Sequence, residues 1–584
     1  MKFEVWAPNA TDVDLALDEQ RIRLTAADQG WFGGDAEAVA GDRYGYVLHT
    51  DEGESKVLPD PRSLSQPDGP DERSAVIDLS EYDWQDDDFT APPLRGGVVY
   101  ELHIGTFTPG GTFAAAIDRL DHLADLGVTV VEVMPVAAFP GSRGWGYDGV
   151  CPYAVFEPYG GAAGLQRFVD ACHQRGLAVC LDVVYNHLGP SGNYLPSYGP
   201  YFTDAYKTPW GSAVNLDGAG SDHVRRYFLD NALMWLRDFH IDALRLDAVH
   251  ALMDSRALPF LEQLAAEVVM LATASGRELT LIAESDRNDP GTVSARNVGG
   301  LGMDAQWADD IHHALHVRLT GETSGYYGDF ADPDALPKVL RTPFFHDGTY
   351  STFRKRHHGR PVDPSTSPGW RFVASLQTHD QVGNRATGDR LAELVSVGRV
   401  AAGAATLLTS PYTPMLFMGE EWGATTPWQY FTDHQDPELA EAVSKGRKAE
   451  FASHGWGSQV PDPQDKETFT RSKLDWSQPD DGDHARVLQW YRTLIALRKQ
   501  IADLSDPALG TIATTIDDDL IRIQRGAYRL VINLRSESVP IGLGPEEAVV
   551  AAFDAELDQS TAGSDKPVVN IEPDGTVLIG TTPS

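Results

Sequence analysis

The chain has 584 residues, of which 42% are hydrophobic and 23% are charged, a composition typical of a globular protein with one large domain and smaller flanking domains. The formal net charge of -38 argues against nucleic acid as a partner, because binding to phosphates depends on lysine and arginine. A neutral substrate fits this charge better.

The cysteine content and the first residues indicate the compartment. The three cysteines, Cys151, Cys172 and Cys180, lack metal-ligand spacing, and their odd number argues against a disulfide framework. The start of the chain has no basic region followed by an apolar one, and no run of about 18 apolar residues occurs. We therefore predict a cytoplasmic protein with no membrane partner.

Residues 1–90 contain short runs of alternating apolar and polar residues, at 2–6 and 44–48, broken by Pro, Gly, Asn and Asp. This pattern predicts a small N-terminal β-sandwich.

From about Gly97 onward, apolar strands alternate with amphipathic helices, which is typical of parallel βαβ units. In one unit, Thr112 is placed to cap a helix that ends at Gly127, and a strand follows. Eight such strands favour an α/β fold with a closed (β/α)8 TIM barrel over residues 91–500, and no Gly-x-Gly-x-x-Gly turn of an open doubly wound sheet follows the first strand. The strands are predicted at residues 98–104, 128–133, 177–184, 241–246, 279–283, 303–307, 372–376 and 415–418.

Two further segments complete the predicted organisation. Residues 188–221 are too long and too rich in Gly, Pro and Tyr for an ordinary loop, so we expect a small subdomain over the barrel mouth. Alternating runs at 520–524 and 528–534 predict a C-terminal β-sandwich over residues 501–584.

Four of the predicted strands lead directly into polar residues. Active sites of such barrels lie at the carboxyl ends of the strands, where these residues would meet. A single acid at such a position most often caps a helix. Three carboxylates held close together, with two histidines beside them, would raise one another's pKa values, which is unfavourable in a purely structural role. A catalytic function would explain why they are grouped. The four runs are residues 181–187, 242–247, 281–284 and 375–380.

Cleavage of a glycosidic bond needs an acid for the leaving oxygen and a carboxylate for the oxocarbenium-like carbon. Arg245 lies on the same face of its strand as Asp247, where its positive charge would keep Asp247 ionised as a nucleophile. Glu284 follows three apolar residues, a setting that favours the raised pKa of a general acid.

These four runs resemble the four active-site motifs of the α-amylase superfamily. The resemblance implies Asp247 as nucleophile, Glu284 as acid/base and Asp380 as the carboxylate that grips the sugar hydroxyls. It also implies a set of residues around the reacting glucose, of which Tyr147 would stack on the sugar: Tyr147, Asp148, His187, Arg245 and His379.

Finer motifs distinguish members of this superfamily. Residues 3–8 and 60–63 resemble an N-terminal domain shared by branching, debranching and trehalose-releasing enzymes, which would make residues 1–90 a glucan-binding-like domain. Residues 208–211, 284–290, 377–381 and 431–434 resemble the trehalose-releasing members most.

This likeness implies retaining hydrolysis of the α-1,4 bond next to the terminal trehalose of malto-oligosyltrehalose. It also implies malto-oligosyltrehalose synthase as a pathway partner. The likeness further implies that His250 and Asp286 lie on the leaving-group side, where the Trp210 ring would stack on the sugar.

Two alternatives remain open from the sequence. A glycogen-branching transferase would use the same three carboxylates, and a non-catalytic glucan-binding protein would keep the barrel but lose one of them. No cofactor and no metal are predicted: Asn186 stands where amylases have a calcium ligand, but a calcium site needs about six to eight oxygens. The paired histidines at 312–313 and 357–358 are expected on the surface or in loops, and Glu420 and Glu421 in structural or rim positions.

Overall fold

The computed structural model describes residues 1–452, 460–561 and 567–581. The N-terminal region consists of two antiparallel sheets packed face to face, with inward side chains such as Phe3, Val13 and Tyr46 fully buried. The predicted N-terminal sandwich is therefore confirmed. One sheet has strands Lys2–Trp6, Trp31–Asp35 and Thr25–Ala26; the other has Gln20–Arg23, Asp12–Leu17, Arg43–Thr50, Gly53–Glu54 and Ser74–Ala75.

Eight parallel strands form a closed barrel, as predicted, and each pairs with the next one along the chain until the last closes on the first. The first strand is shorter than predicted because the chain turns at His103 into a short helix. The sixth begins two residues late, at Ala305. The barrel strands are Val99–Leu102, Val130–Val133, Ala178–Val183, Ala243–Leu246, Thr280–Ala283, Ala305–Trp307, Phe372–Ser375 and Thr413–Phe417.

Helices surround the barrel. The Thr112 hydroxyl accepts a hydrogen bond from Ala115 N at 3.2 Å, and the unit ends at Gly127 with a φ of 96°, so both predicted boundaries are confirmed. The principal helices are Phe113–Ile117, Leu120–Leu126, Gly161–His173, Ser221–Asp238, Phe260–Ser275, Asp309–Thr320, Ala335–Arg341, Val397–Leu408 and Gly482–Gln500. Shorter or peripheral helices are Ile104–Phe107, Leu195–Tyr198, His379–Gly383, Leu391–Leu394, Pro437–Ala452, Lys466–Arg471 and Ala502–Ser505.

The inside of the barrel is divided into an apolar and a polar layer. Val99, Val130 and Ala243 belong to a separate apolar cluster near the amino ends of the strands. Because alternate residues of a strand face the same side, the next inward positions are Glu101, Glu132 and Arg245. The polar layer therefore lies toward the carboxyl ends, where the candidate site residues follow.

Residues 188–221 contain the helix Leu195–Tyr198 and the hairpin Phe202–Thr208 with Gly211–Val214. The Tyr198 hydroxyl donates to Pro59 O at 2.7 Å, and Tyr198 O accepts from Asn9 N at 3.1 Å. This segment thus connects the barrel to the N-terminal sandwich.

The C-terminal region is an antiparallel sheet of six strands with its own apolar cluster, which includes Leu520, Val569 and Ile579. A C-terminal β domain is therefore present, although its described strands form one hydrogen-bonded sheet, whereas a β-sandwich was predicted. The domain boundaries near residues 90 and 500 stay predictions. Among the described helices, none combines the length and apolar character needed to span a membrane. The six strands are Ala513–Asp517, Leu520–Arg525, Tyr528–Asn533, Val539–Gly542, Ala548–Leu557 and Val568–Gly580.

One expectation about polar residues is wrong. His312 lies in the helix Asp309–Thr320 and is buried, rather than on the surface or in a loop; its ring bonds Leu376 O and the Tyr327 hydroxyl, and this pairing makes its burial possible. Glu420 and Glu421, in contrast, are structural as expected and lie in the core: Glu421 accepts from the Tyr100 hydroxyl at 3.0 Å.

Candidate active site

Arg245 organises the carboxylates at the barrel mouth. Its side chain is fully buried, and Nη1 donates to both oxygens of Asp182, at 2.9 and 2.8 Å, and to Asp247 Oδ1 at 2.8 Å. The guanidinium lies over the Trp307 ring, 4.3 Å from its centre. Because this cation is fixed by the barrel wall, it holds the Asp247 carboxyl in one orientation.

Glu284 lies next to Asp247 and is bound by its neighbours. Its Oε2 is 3.7 Å from Nη2 of Arg245 and accepts a hydrogen bond from the Ala248 N–H. Ala248 reaches this position with a φ of 41°, a left-handed backbone that is uncommon for a residue other than glycine. The two predicted catalytic carboxyls are therefore tied to the same guanidinium and the same turn.

Burial raises the pKa of Glu284 to about 8; the negative charges of Asp247, Asp309 and Asp380 add to this effect, and Arg245 opposes it. At neutral pH, Glu284 is thus held in the protonated form that can act as a general acid.

Tyr147 and His379 form a second chain of hydrogen bonds. The Tyr147 hydroxyl is 2.7 Å from Asp182 Oδ2 and 2.9 Å from His379 Nε2, and the His379 Nδ1 contacts Glu101 Oε1 at 2.5 Å. Burial opposes protonation of His379, but Glu101 and Asp380 outweigh it and raise its pKa to about 9. A doubly protonated His379 can donate to both Tyr147 and Glu101, which leaves the Tyr147 proton for Asp182.

The backbone before Tyr147 requires glycine. Gly146 has a φ of 101°, and a Cβ there would lie 2.1 Å from Pro135 O. The indole of the preceding Trp145 is fixed by a bond from Nε1 to Gln429 O at 3.0 Å. These contacts turn the Tyr147 side chain into the barrel mouth, where its ring stacks on His379 at 5.1 Å between ring centres.

His187 and Trp210 form a stacked pair at another part of the mouth. Their rings are 4.6 Å apart and nearly parallel, and His187 Nε2 donates to Tyr147 O at 3.0 Å. Burial lowers the pKa of His187, so its ring is neutral, and Trp210 is 46% exposed. The structure thus brings Trp210 against a residue of the predicted glucose subsite. Asp148, half-buried beside Tyr147, has a pKa that burial raises.

Of the remaining predicted residues, Asp286 and Asp380 line a cavity of about 550 Å3 beside Glu284. Asp286 forms an ion pair with Arg354, and its backbone N–H donates to His250 Nδ1 at 3.3 Å, although His250 does not itself line the cavity. Asp380 is 47% exposed and accepts from Asn384 Nδ2 at 3.2 Å. Tyr326 and Phe353 add aromatic surface.

Sequence reasoning missed several members of the site. Asp182 and Glu101 have the same signal as the predicted acids, a carboxylate inside or just after a barrel strand, and the strand alternation could have identified them. Trp307 ends a predicted strand in the same way. Arg354 comes from the loop between Tyr350–Ser351 and Arg356–His357, far from any barrel strand, and no sequence signal pointed to it.

The structure shows no preformed metal site among the residues it describes: no three His, Cys, Asp or Glu side chains are grouped to hold an ion. Asn186, considered as a calcium ligand, is buried, and within the described chain neither atom of its amide group has a hydrogen-bond partner. The three cysteines are free and buried.

Comparisons with known proteins agree with this geometry. Residues 61–203 match the model of the alpha amylase catalytic domain, and residues 1–63 match carbohydrate-binding module 48, the isoamylase N-terminal domain. A crystal structure of a Salmonella typhimurium protein described as an alpha amylase aligns with a TM-score of 0.88 at 37% identity, covering 99% of this chain and 97% of that one. The fold and the strand-end carboxylates therefore define a glycoside hydrolase of the α-amylase superfamily.

Sequence relatives narrow this class. A malto-oligosyltrehalose trehalohydrolase of Arthrobacter ramosus is 53% identical over 96% of this chain and 97% of its own length. A 1,4-alpha-glucan branching enzyme of Bacillus cereus is 30% identical over 74% of this chain and 68% of its own. The chain belongs to the malto-oligosyltrehalose trehalohydrolase family.

Proposed function

We propose that this enzyme hydrolyses the α-1,4-glucosidic bond next to the terminal trehalose of malto-oligosyltrehalose, releasing trehalose and a maltodextrin with retention of configuration. The observation that carries this proposal is the pairing of Asp247 and Glu284 around Arg245, beside a cavity with room for a disaccharide. The relatedness of the chain to trehalohydrolases supports the choice of substrate.

In the first step, Asp247 attacks the anomeric carbon of the glucose adjoining trehalose. Arg245 directs this carboxylate, because its Nη1 binds Asp247 Oδ1 at 2.8 Å. Glu284 donates its proton to the glycosidic oxygen, and trehalose leaves with that proton. A covalent glucosyl-enzyme remains on Asp247.

In the second step, the deprotonated Glu284 removes a proton from water, and the hydroxide attacks the anomeric carbon and releases Asp247. Two inversions at one carbon give net retention. The two carboxyls are close enough to contact the same arginine, which favours the retaining mechanism. An inverting mechanism needs a wider separation, because a water molecule must fit between one carboxyl and the sugar.

The reacting glucose would be held by the polar network on the other side. Tyr147, held in place by His379, presents a ring for stacking, and Asp380 presents an acceptor to sugar hydroxyls. His187 adds a neutral imidazole. These groups bind a glucose ring whether it belongs to a trehalose-ended chain or to plain maltodextrin.

Selection for trehalose would come from the cavity beside Glu284. In trehalose, the second glucose is turned by the α,α-1,1 link, so its hydroxyls meet different protein groups from those of maltose. Asp286, Arg354 and His250 offer both acceptors and donors there. A site built around substrate hydroxyls discriminates strongly, because an analogue that fails to reach them leaves buried polar groups unpaired.

The rival function is glucan branching, in which a sugar hydroxyl replaces water in the second step. The chemistry of the three carboxylates is common to both functions. The lower identity to the branching enzyme and the match to trehalohydrolases over nearly the whole chain favour hydrolysis. A non-catalytic role is disfavoured because all three carboxylates are present.

Product analysis tests the proposal. Purified enzyme is incubated with maltotriosyltrehalose and, separately, with maltopentaose, a plain chain of equal length. We expect trehalose and maltotriose from the first and slow cleavage of the second. Equal cleavage of both would indicate a general amylase, and a change in the iodine stain of amylose without trehalose release would indicate branching.

The proposed substrate implies a supplying enzyme, malto-oligosyltrehalose synthase, which isomerises the reducing end of a maltodextrin. The three free cysteines suit a reducing compartment, and we place both enzymes in the cytoplasm.

A further inference from the structure

Two adjacent aspartates begin the helix after the sixth barrel strand, and their surroundings differ. Asp310 is buried, and its Oδ2 accepts from Asn288 Nδ2 at 2.9 Å, Phe345 N at 2.8 Å and His346 N at 2.9 Å. Its Oδ2 therefore holds two loops. Asp309 is half-buried and, like Asp310, lines the cavity beside Glu284.

Asp309 has little bonding within the protein. Its Oδ1 is 3.4 Å from Gln381 Nε2, and no other hydrogen bond of its side chain is found among the described residues. A half-buried carboxyl with one long hydrogen bond retains acceptor positions that water or a ligand must fill.

The position of Asp309 relates it to the reaction. It lines the same cavity as Asp286, Asp380 and Arg354, and its charge is close enough to contribute to the raised pKa of Glu284. Burial, followed by the charges of Asp380, Asp310 and Asp286, raises the pKa of Asp309 itself to about 7. The carboxyl of Asp309 is thus partly removed from water without strong partners in the protein, and hydrogen-bond donors on a substrate would offset this cost.

We propose that Asp309 is a substrate-binding residue of the leaving-group side, whose carboxyl accepts hydrogen bonds from hydroxyls of the departing trehalose. This proposal rests on the function proposed above and deepens it. Together with Asp286 and Arg354, which line the same cavity, Asp309 would offer the sugar two acceptors and a donor. A carboxylate suits a sugar because its two oxygens can accept from neighbouring hydroxyls.

The alternative is that Asp309 only supports the helix or adjusts Glu284. Acidic residues are common in the first turn, where they interact favourably with the helix dipole. A structural role would affect every substrate equally. An electrostatic role would shift the pH dependence without changing the affinity for trehalose.

The test compares Asp309→Asn and Asp309→Ala with wild type on two substrates. The leaving group of maltotriosyltrehalose is a sugar. That of maltotriosyl fluoride is fluoride, which makes no sugar contacts and departs with little help from an acid. We expect kcat/KM for maltotriosyltrehalose to fall about 10- to 100-fold in both variants, the loss of a hydrogen bond to a charged group. Hydrolysis of the fluoride should be unchanged, and the inhibition constant for added trehalose should rise by a similar factor.

Asp347→Asn serves as the matched control. Asp347 is also a half-buried aspartate, but it pairs with Lys338 at 2.8 Å and does not line the cavity. We expect this variant to behave as wild type on both substrates.

Three results would overturn the proposal: an unchanged inhibition constant for trehalose, an equal loss on the fluoride, or a shift of the pH profile as the sole effect. If wild-type enzyme releases no trehalose, the proposed function fails and this inference with it. If wild type releases trehalose but the Asp309 variants bind it normally, this inference alone fails.

Discussion

The two sides of the active-site cleft are built differently. On the side of the reacting glucose, Arg245, Asp182 and His379 are almost fully buried, and the barrel strands fix each of them by at least two hydrogen bonds. On the leaving-group side, Asp286 and Phe353 are about half-exposed, and Arg354 comes from a loop. The groups that we propose for bond breaking are therefore held by the buried barrel strands, whereas those that we propose for selectivity stand on surface segments.

This difference suggests how one barrel supports several glucan-active enzymes. Loops can change with little effect on stability, because they contribute few buried contacts. The buried network tolerates no such change, since an unpaired charge inside the barrel is costly. Variants on the two sides should accordingly lose different properties.

The largest effect is expected at the nucleophile. Asp247→Asn removes the carboxylate that forms the covalent intermediate, and we expect kcat to fall by about 10^4-fold or more on every substrate. Steady-state kinetics on maltotriosyltrehalose and maltotriosyl fluoride would measure this. Comparable activity on either substrate would contradict the assignment.

Glu284→Gln should separate acid catalysis from nucleophilic attack. We expect a loss of about 10^2- to 10^4-fold on maltotriosyltrehalose, which needs a proton on its leaving oxygen, but a smaller loss on the fluoride. In wild type, the acid form of Glu284 is lost as pH rises through about 8, so kcat/KM should fall above that pH. If kcat/KM of the Glu284→Gln variant still falls above about pH 8, that fall belongs to another titrating group.

Glu101→Gln tests the rigidity of the glucose side. The folded-state pKa of His379, about 9, lies above its ordinary value near 6.5, so the His379–Glu101 pair stabilises the fold fully below about pH 6.5 and loses this contribution as pH rises through about 9. The variant should be less stable by about 3 kcal/mol at neutral pH, and the gap should narrow above pH 9. Thermal unfolding of both proteins across pH measures this difference in stability. A difference that does not depend on pH would contradict the role of the His379–Glu101 pair.

The smallest effect on stability, but a specific one on selectivity, is expected from Asp286→Asn and Arg354→Ala. The pair is substantially exposed, so the free energy of unfolding should change by less than about 1 kcal/mol. The preference for maltotriosyltrehalose over maltopentaose should fall about 10-fold.

Arg360→Ala, at a 70% exposed arginine paired with Asp289, is the control for the Arg354 variant, and we expect it to retain the preference. Unchanged discrimination in the Asp286 and Arg354 variants, or in His250→Ala, would remove these residues from the leaving-group side.

The residues that sequence could identify are those whose position follows from strand periodicity. Asp247, Glu284 and Asp380 each follow an apolar run, and parallel strands of a barrel bring such positions together. Arg245 could be assigned to the face of Asp247 for the same reason. The resemblance to the α-amylase superfamily added roles to positions that alternation had already selected.

Other features depend on packing that no local pattern encodes. The contact of Arg354 with Asp286 joins segments 68 residues apart through a loop without regular periodicity. The burial of His312 depends on partners from other elements, Leu376 and Tyr327. Asp309 and Asp310 look equivalent in the sequence, and only the fold distinguishes Asp310, which accepts three hydrogen bonds from two loops, from Asp309, which accepts one long one.

A crystal structure of the Glu284→Gln variant with maltotriosyltrehalose would test the division of the cleft most directly. We expect the maltotriosyl chain to bind on the side of Tyr147, His187 and His379. Trehalose should bind in the cavity, among Asp286, Asp309 and Arg354. Trehalose bound on the Tyr147 side, or outside this cavity, would contradict it.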